Sequence, residues 1–330
     1  MSLATRLAPL ASIVTASVLL AGCGSTDVDA SGSGRQAVAS FYPLEYVAER
    51  VAGDAADVTG LTTPGGEPHD LELTVRQTAE VAEADVLIHL RDFQPAVDEA
   101  VDQAGAEHVV DAAETADLVS PEELDEHAGE EHAGEDEHAD EEHADEEAGE
   151  DDGHGHGDVD PHFWTDPTRL AGVADAVAQA LSDADPDNAE TYERNLADLR
   201  RDLDALDAEL EEGLADCARD TVVVSHDAFA YFGARYGLDM HPINGLSPEA
   251  EPSPAHLREL ADLIEDEGIT TVFSETLASP EMAESLASDL GLETAVLDPV
   301  EGLTDATAEE DYLSLMRANL TAVQKANDCT

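Results

Sequence analysis

Basic residues are what this chain most lacks. Its 330 residues hold 14 Lys plus Arg against 77 Asp plus Glu, a formal charge of −63, and Lys325 is the sole lysine. That balance excludes a nucleic-acid binder, which needs a basic face against phosphate. It also argues against attraction to anionic lipid by charge alone. Long hydrophobic runs are missing as well: Leu7 to Leu20 is too short and too rich in Ala, Ser and Thr for a spanning helix of about 20 residues. What is present is a 42% hydrophobic content, too high for a disordered acidic chain. At about 150 residues per domain, the length suggests two domains with cores of their own. Self-repulsion at this charge is tolerable where salt is plentiful or divalent cations are bound.

Residues 1–22 read as a secretory signal, with Arg6 in the positive n-region and an apolar stretch behind it. The stretch ends Leu20-Ala21-Gly22-Cys23, which resembles a bacterial lipobox. Cys23 is then the lipidated first residue, each buried CH₂ of its acyl chains contributing ~0.8 kcal/mol to anchoring. The alternative is an ordinary signal peptide with a chance cysteine. Residues 23–34 follow as a lipidated N-terminus and Gly/Ser-rich tether. This places the protein outside the cytoplasm, on the outer face of the cell membrane. The other two cysteines, Cys217 and Cys329, could close one disulfide there or remain free buried thiols, since sequence supplies no geometry.

A faint internal repeat divides the rest. Aligning 38–61 with 223–246 pairs Val38 with Val223, Ser40 with Ser225, Tyr46 with Tyr231, Arg50 with Arg235, Asp54 with Asp239, Gly60 with Gly245 and Leu61 with Leu246. Background composition would give about two such identities. Short apolar runs at 36–40, 57–61, 85–90 and 108–111, and again at 221–225, 239–244, 270–274 and 294–298, alternate with helical periodicity. Strands alternating with helices imply an α/β fold whose parallel sheets are covered on both faces. Between the halves, 188–215 has no Pro and no Gly before Gly213, and Leu196, Leu199, Leu203, Leu206 and Leu210 mark one face of a long helix. The expected division is an N-terminal lobe over 35–186, a linking helix over 187–216 and a C-terminal lobe over 217–330. Residues 121–158 belong to neither core: 19 acidic residues and six histidines in an EHAGE-like repeat read as a solvated loop.

Thirteen histidines carry the chemistry. Six of them, His127, His132, His138, His143, His154 and His156, lie in the acidic loop, where imidazole and carboxylate suit loose capture of divalent transition metals. The plainer reading of that loop is an acidic spacer. His69 lies in a Gly/Pro loop beyond the second strand, His226 directly follows the strand 221–225, and His162 precedes a helix. Glu275 and Asp298 end two further strands. Open parallel sheets bind ligands at the carboxyl ends of their strands. Any one of these residues alone is more often a cap or a satisfied loop residue; together they form a candidate site.

The segments PGGEPHDLELT (64–74), DPHFWTDP (160–167), VVVSHDAFAYFGARYGL (222–238) and FSETLASPEMAESLASDLGLETAVLDPVEGL (273–303) resemble the metal-binding lipoproteins of bacterial zinc and manganese ABC importers, the cluster A-I solute-binding proteins. The resemblance covers most of 35–330. It implies two parallel-sheet lobes joined by a single long helix, with metal in the interlobe cleft on His69, His162, His226 and Asp298. It makes Glu275 a supporting residue near the site and Glu67 a possible competing ligand, and it implies an ABC permease and its ATPase as partners of a monomeric receptor. One departure is Glu281, where family members often carry Lys.

Three imidazoles and one carboxylate suit tetrahedral zinc, and ligands from both lobes would let the metal hold the halves together. Four protein ligands leave no obvious open position for activated water, and no HExxH is present, so the expected role is carriage and not catalysis. The resemblance puts His226 where manganese-type members carry a carboxylate, and nitrogen there favours zinc over the harder manganese ion. The alternatives are a manganese or iron receptor of the same family, a secreted zinc metallohydrolase, and a metal-binding adhesin or zinc buffer without a transporter. Ligand histidines must be neutral, so affinity is expected to fall below pH ~6.5.

Overall fold

The computed structural model describes residues 35–120, 124 and 159–330. The expected signal segment, Cys23, the tether and the six loop histidines lie outside the described residues. All eight apolar runs form strands, each within about two residues of its expected ends. In the first lobe these are β1 (Arg35–Ala39), β2 (Ala56–Gly60), β3 (Val86–His89) and β4 (His108–Asp111). In the second they are β5 (Thr221–Val224), β6 (Asp239–Pro242), β7 (Thr271–Ser274) and β8 (Glu293–Val296). Every pairing is parallel, and the two sheets have the same order, β2-β1-β3-β4 and β6-β5-β7-β8.

The helices between strands are α1 (Tyr42–Ala52), α2 (Val75–Glu83), α3 (Pro95–Ala104) and α4 (Ala112–Thr115) in the first lobe. Helix α5 (Pro167–Ala184) completes that lobe. After the linking helix α6 (Ala189–Leu214) come α7 (Ala230–Tyr236), α8 (Pro254–Glu267), α9 (Glu281–Leu290) and α10 (Tyr312–Asn327). None of the described helices is long and apolar enough to cross a membrane. One core runs through both lobes and along α6, and a smaller one lies under the outer helices of each sheet.

The repeat maps onto β1–α1–β2 and β5–α7–β6, and α6 shows why its arginines recur. Arg50 reaches Asp202 on α6 at 2.6 Å, while its counterpart Arg235 makes two bonds to Asp207 at 2.9 and 2.6 Å. Both lobes thus grip the same helix through equivalent side chains. Leu199, Leu203, Leu206, Leu210 and Leu214 form the buried stripe of α6, each worth at most ~1.5–3 kcal/mol of apolar burial; Leu196 is only partly buried. Beyond α6, Cys217 is disulfide-bonded to Cys329, which ties the exit of the linking helix to the end of α10.

Candidate metal centre

Each histidine is aimed by its own local device. His69 lies in the loop after β2, where Gly65 takes φ +78°, a conformation that favours glycine. The Gly65 N–H donates to the Leu303 carbonyl of the opposite lobe at 2.6 Å. Gln94 holds the Pro68 carbonyl at 3.0 Å, and the His69 N–H donates to Glu67 at 2.9 Å. His162 follows Asp160, whose Oδ1 accepts both the His162 N–H at 2.9 Å and its Nδ1 at 2.7 Å. A single 3-10 turn, Phe163–Thr165, then leads to Asp166, which caps α5 ahead of Pro167. His226 sits two residues beyond β5, its Nδ1 2.6 Å from Glu275 Oε1, which also accepts from the Ser225 hydroxyl. With Nδ1 of His162 and His226 engaged by carboxylates, each Nε2 faces the cleft and becomes an electron-pair donor once its proton is lost.

The carboxylate that groups with them is Glu301, and the expected fourth ligand, Asp298, lies outside the group. His69, His162, His226 and Glu301 are all buried, with ligand atoms within 4.8 Å of one another; theirs is the only such cluster of at least three His, Cys, Asp or Glu among the described residues. Asp298 lies outside it because β8 ends at Val296 and the chain then turns. The Asp298 side chain accepts from the Val300 N–H at 2.8 Å and the Thr276 hydroxyl at 2.9 Å. Its backbone is clasped by Asn319 at 2.8 and 2.6 Å. These bonds hold Val300 at φ +60°, a left-handed conformation that costs a β-branched residue about 1–3 kcal/mol. The turn carries Glu301 into the cleft in place of Asp298. Glu301 stands in the segment LDPVEGL, but only the backbone reversal distinguishes it from the acidic residue three positions earlier.

Four of the six edges of the group have the length that a small tetrahedral ion needs. Glu301 Oε1 lies 3.4 Å from the Nε2 of each of the three histidines, and the Nε2 atoms of His69 and His162 are 3.4 Å apart. Zn–N bonds near 2.0–2.1 Å require ligand atoms about 3.3–3.4 Å apart at the corners of a tetrahedron. Phe93 packs edge-on to His69 at 4.6 Å between ring centroids, and Phe41 and Trp164 complete an aromatic floor.

The electrostatics follow from the crowding. Burial opposes charge on His162 and His226, but their carboxylate partners outweigh it and push them up to about 9 and about 10. Burial lowers His69. Glu301 is held well below the carboxylate range, the three histidines overcoming its burial. These shifts favour the protonated form of His162 and His226 at neutral pH when no metal is bound. This moves the expected pH dependence upward from 6.5. Glu67 is outside the cluster, and burial beside Glu301 pushes it up to about 7.

The family described as "Zinc-uptake complex component A periplasmic" matches residues 37–326. The chain belongs to this family. Among its zinc-uptake relatives is the zinc-binding lipoprotein AdcA of Streptococcus pneumoniae, 33% identical over 294 residues and 88% of this chain. The chain spans about half of AdcA, 55% of its length. The high-affinity zinc uptake system protein ZnuA of Bacillus subtilis is 30% identical over 317 residues, 93% of each chain. The crystal structure of the Zn(II)-bound ZnuA-like domain of S. pneumoniae AdcA superposes with a TM-score of 0.69 at 30% identity, over 89% of this chain and 99% of that one. The paired parallel sheets and long linking helix are thus the architecture of the zinc-uptake family.

Proposed function

We propose that this protein is an extracytoplasmic receptor that captures Zn²⁺ in the cleft between its lobes and delivers it to an ABC permease driven by its ATPase. The observation that carries the reading is the set of 3.4 Å separations between Glu301 Oε1 and three imidazole nitrogens, the edge length of a zinc tetrahedron. Three nitrogens favour zinc over manganese. All four corners come from the protein, so no position is kept for activated water, and the site is a carrier and not a hydrolytic centre. Lipidation of Cys23 would hold the receptor at the membrane, where a monomer can meet the permease. His127, His132, His138, His143, His154 and His156 would gather zinc loosely nearby.

Zinc and manganese binding to the wild type and to a His69→Ala/His162→Ala/His226→Ala variant tests this, with stoichiometry read by native mass spectrometry and affinity by chelator competition. Tight zinc in the wild type, lost in the variant, is the expected result. Unchanged tight binding in the variant would sink the assignment. Deletion of 121–158 should leave the tight site intact and lower the total zinc bound; loss of tight binding would move the primary site to the loop.

A further inference from the structure

We infer that Trp164 is a positioning residue that sets the two halves of the metal site in register, its indole N–H fixing the Glu301 turn of one lobe against His162 of the other. The inference rests on reading the four-residue cluster as a zinc site. Trp164 is the only tryptophan of the chain and is fully buried. It stands two residues after His162 in the first lobe, with ring centroids 5.2 Å apart. Its Nε1–H crosses to the second lobe and donates to the Pro299 carbonyl at 2.8 Å.

Pro299 sits between Asp298 and the left-handed Val300, inside the turn that delivers Glu301. The bonds to that turn from Asn319 and Thr276 come from its own lobe; the indole supplies one from the opposite lobe. The tie is returned by Tyr312 on α10, whose hydroxyl donates to the Trp164 carbonyl at 2.7 Å. Phe41 at 4.8 Å and Phe93 at 5.6 Å pin the ring, so it has little freedom to follow the other lobe. A shift of the Pro299 carbonyl away from this N–H leaves a buried donor unsatisfied, which penalises any lobe arrangement with Glu301 out of register. Trp164→Phe keeps an aromatic ring and removes the cross-lobe donor together with some buried volume, and the volume loss is common to both backgrounds of a double-mutant cycle.

The test is a double-mutant cycle on zinc affinity, measured by chelator competition for wild type, Trp164→Phe, Glu301→Gln and the double variant. Trp164→Phe should weaken zinc binding about tenfold, the lower range for groups that orient ligands. In the Glu301→Gln background the same change should cost less than about twofold, because the coupled group is gone. Equal losses in both backgrounds, or no loss in the first, would overturn the proposal. A wild type that binds no zinc tightly fails the site reading itself and is a separate result. If Trp164→Phe does not fold, the single indole N–H resonance of the otherwise native protein decides the matter. Glu301→Gln should shift it, and an unshifted resonance would overturn the coupling.

Discussion

The two lobes are built on one plan and differ where the chemistry is. In the repeat alignment Phe41 and His226 are equivalent, each two residues past the first strand of its sheet. Both are buried. In the first lobe the position supplies an apolar floor under the site; in the second it supplies an imidazole whose Nδ1 is held by Glu275 at 2.6 Å. The first lobe supplies its proposed ligands from farther along, in the loop after β2 and the turn before α5. A shared scaffold therefore fixes where a ligand can stand, and the residue type decides whether one does.

The largest expected effect separates His69 from the other two histidines. As the proposed ligands, His162 and His226, raised to about 9 and about 10, would each have to lose a proton to bind zinc, while His69, lowered by burial, would not. Zinc uptake at pH 7 should release about two protons, and affinity should climb by up to about a hundredfold per pH unit below 9. The paired, protonated imidazoles stabilise the metal-free fold fully below about pH 6.5, and that contribution is lost as pH rises through about 9 to 10. The rise in Tm caused by zinc should accordingly be larger at pH 8 than at pH 6. A calorimetric titration showing no proton release would break the distinction.

Making the second lobe like the first comes next. His226→Phe removes one of the four proposed ligands, so zinc should weaken by about a hundredfold to a thousandfold. Within the second lobe, Glu301→Gln should cost more zinc affinity than Asp298→Asn, since Asp298 acts through the Val300 turn. The reverse order in a competition assay would restore Asp298 as the ligand. Glu275→Gln and Asp160→Asn, one orienting carboxylate from each lobe, should each cost about 10–100-fold in affinity. A much larger loss from one alone would show that the two lobes do not aim their imidazoles in the same way.

The smallest effect concerns the shared grip on α6. Arg50→Ala and Arg235→Ala break partly exposed ion pairs, and each should lower stability in urea by about 0.2–1 kcal/mol. Arg235, with two bonds to Asp207, should stand at the upper end. A zinc affinity that changes with either variant would mean the linking helix sets the lobe spacing through these pairs.

Much of this was legible in the chain. Short apolar runs and period-3.6 patterning are local properties, so they located eight strands and the Leu196–Leu210 face of the linking helix, of which Leu196 is only partly buried. The repeat announced two lobes, because the same sheet plan needs similar residues at similar spacing. The three histidines stood out because each lies at a strand end or in a Gly/Pro or Asp-Pro turn, where parallel sheets gather ligands. The fourth partner was not legible: Asp298 and Glu301 are both acidic, both close behind β8 and only three residues apart. What separates them is the left-handed Val300, held by Asn319 from α10 and Thr276 from beyond β7, and by the Trp164 N–H from the other lobe. Those contacts join residues up to 135 positions apart. Local patterning placed the elements and the imidazoles; which carboxylate stands beside them depended on tertiary hydrogen bonds, two sets from within the second lobe and one, from Trp164, that exists only when the lobes pack together.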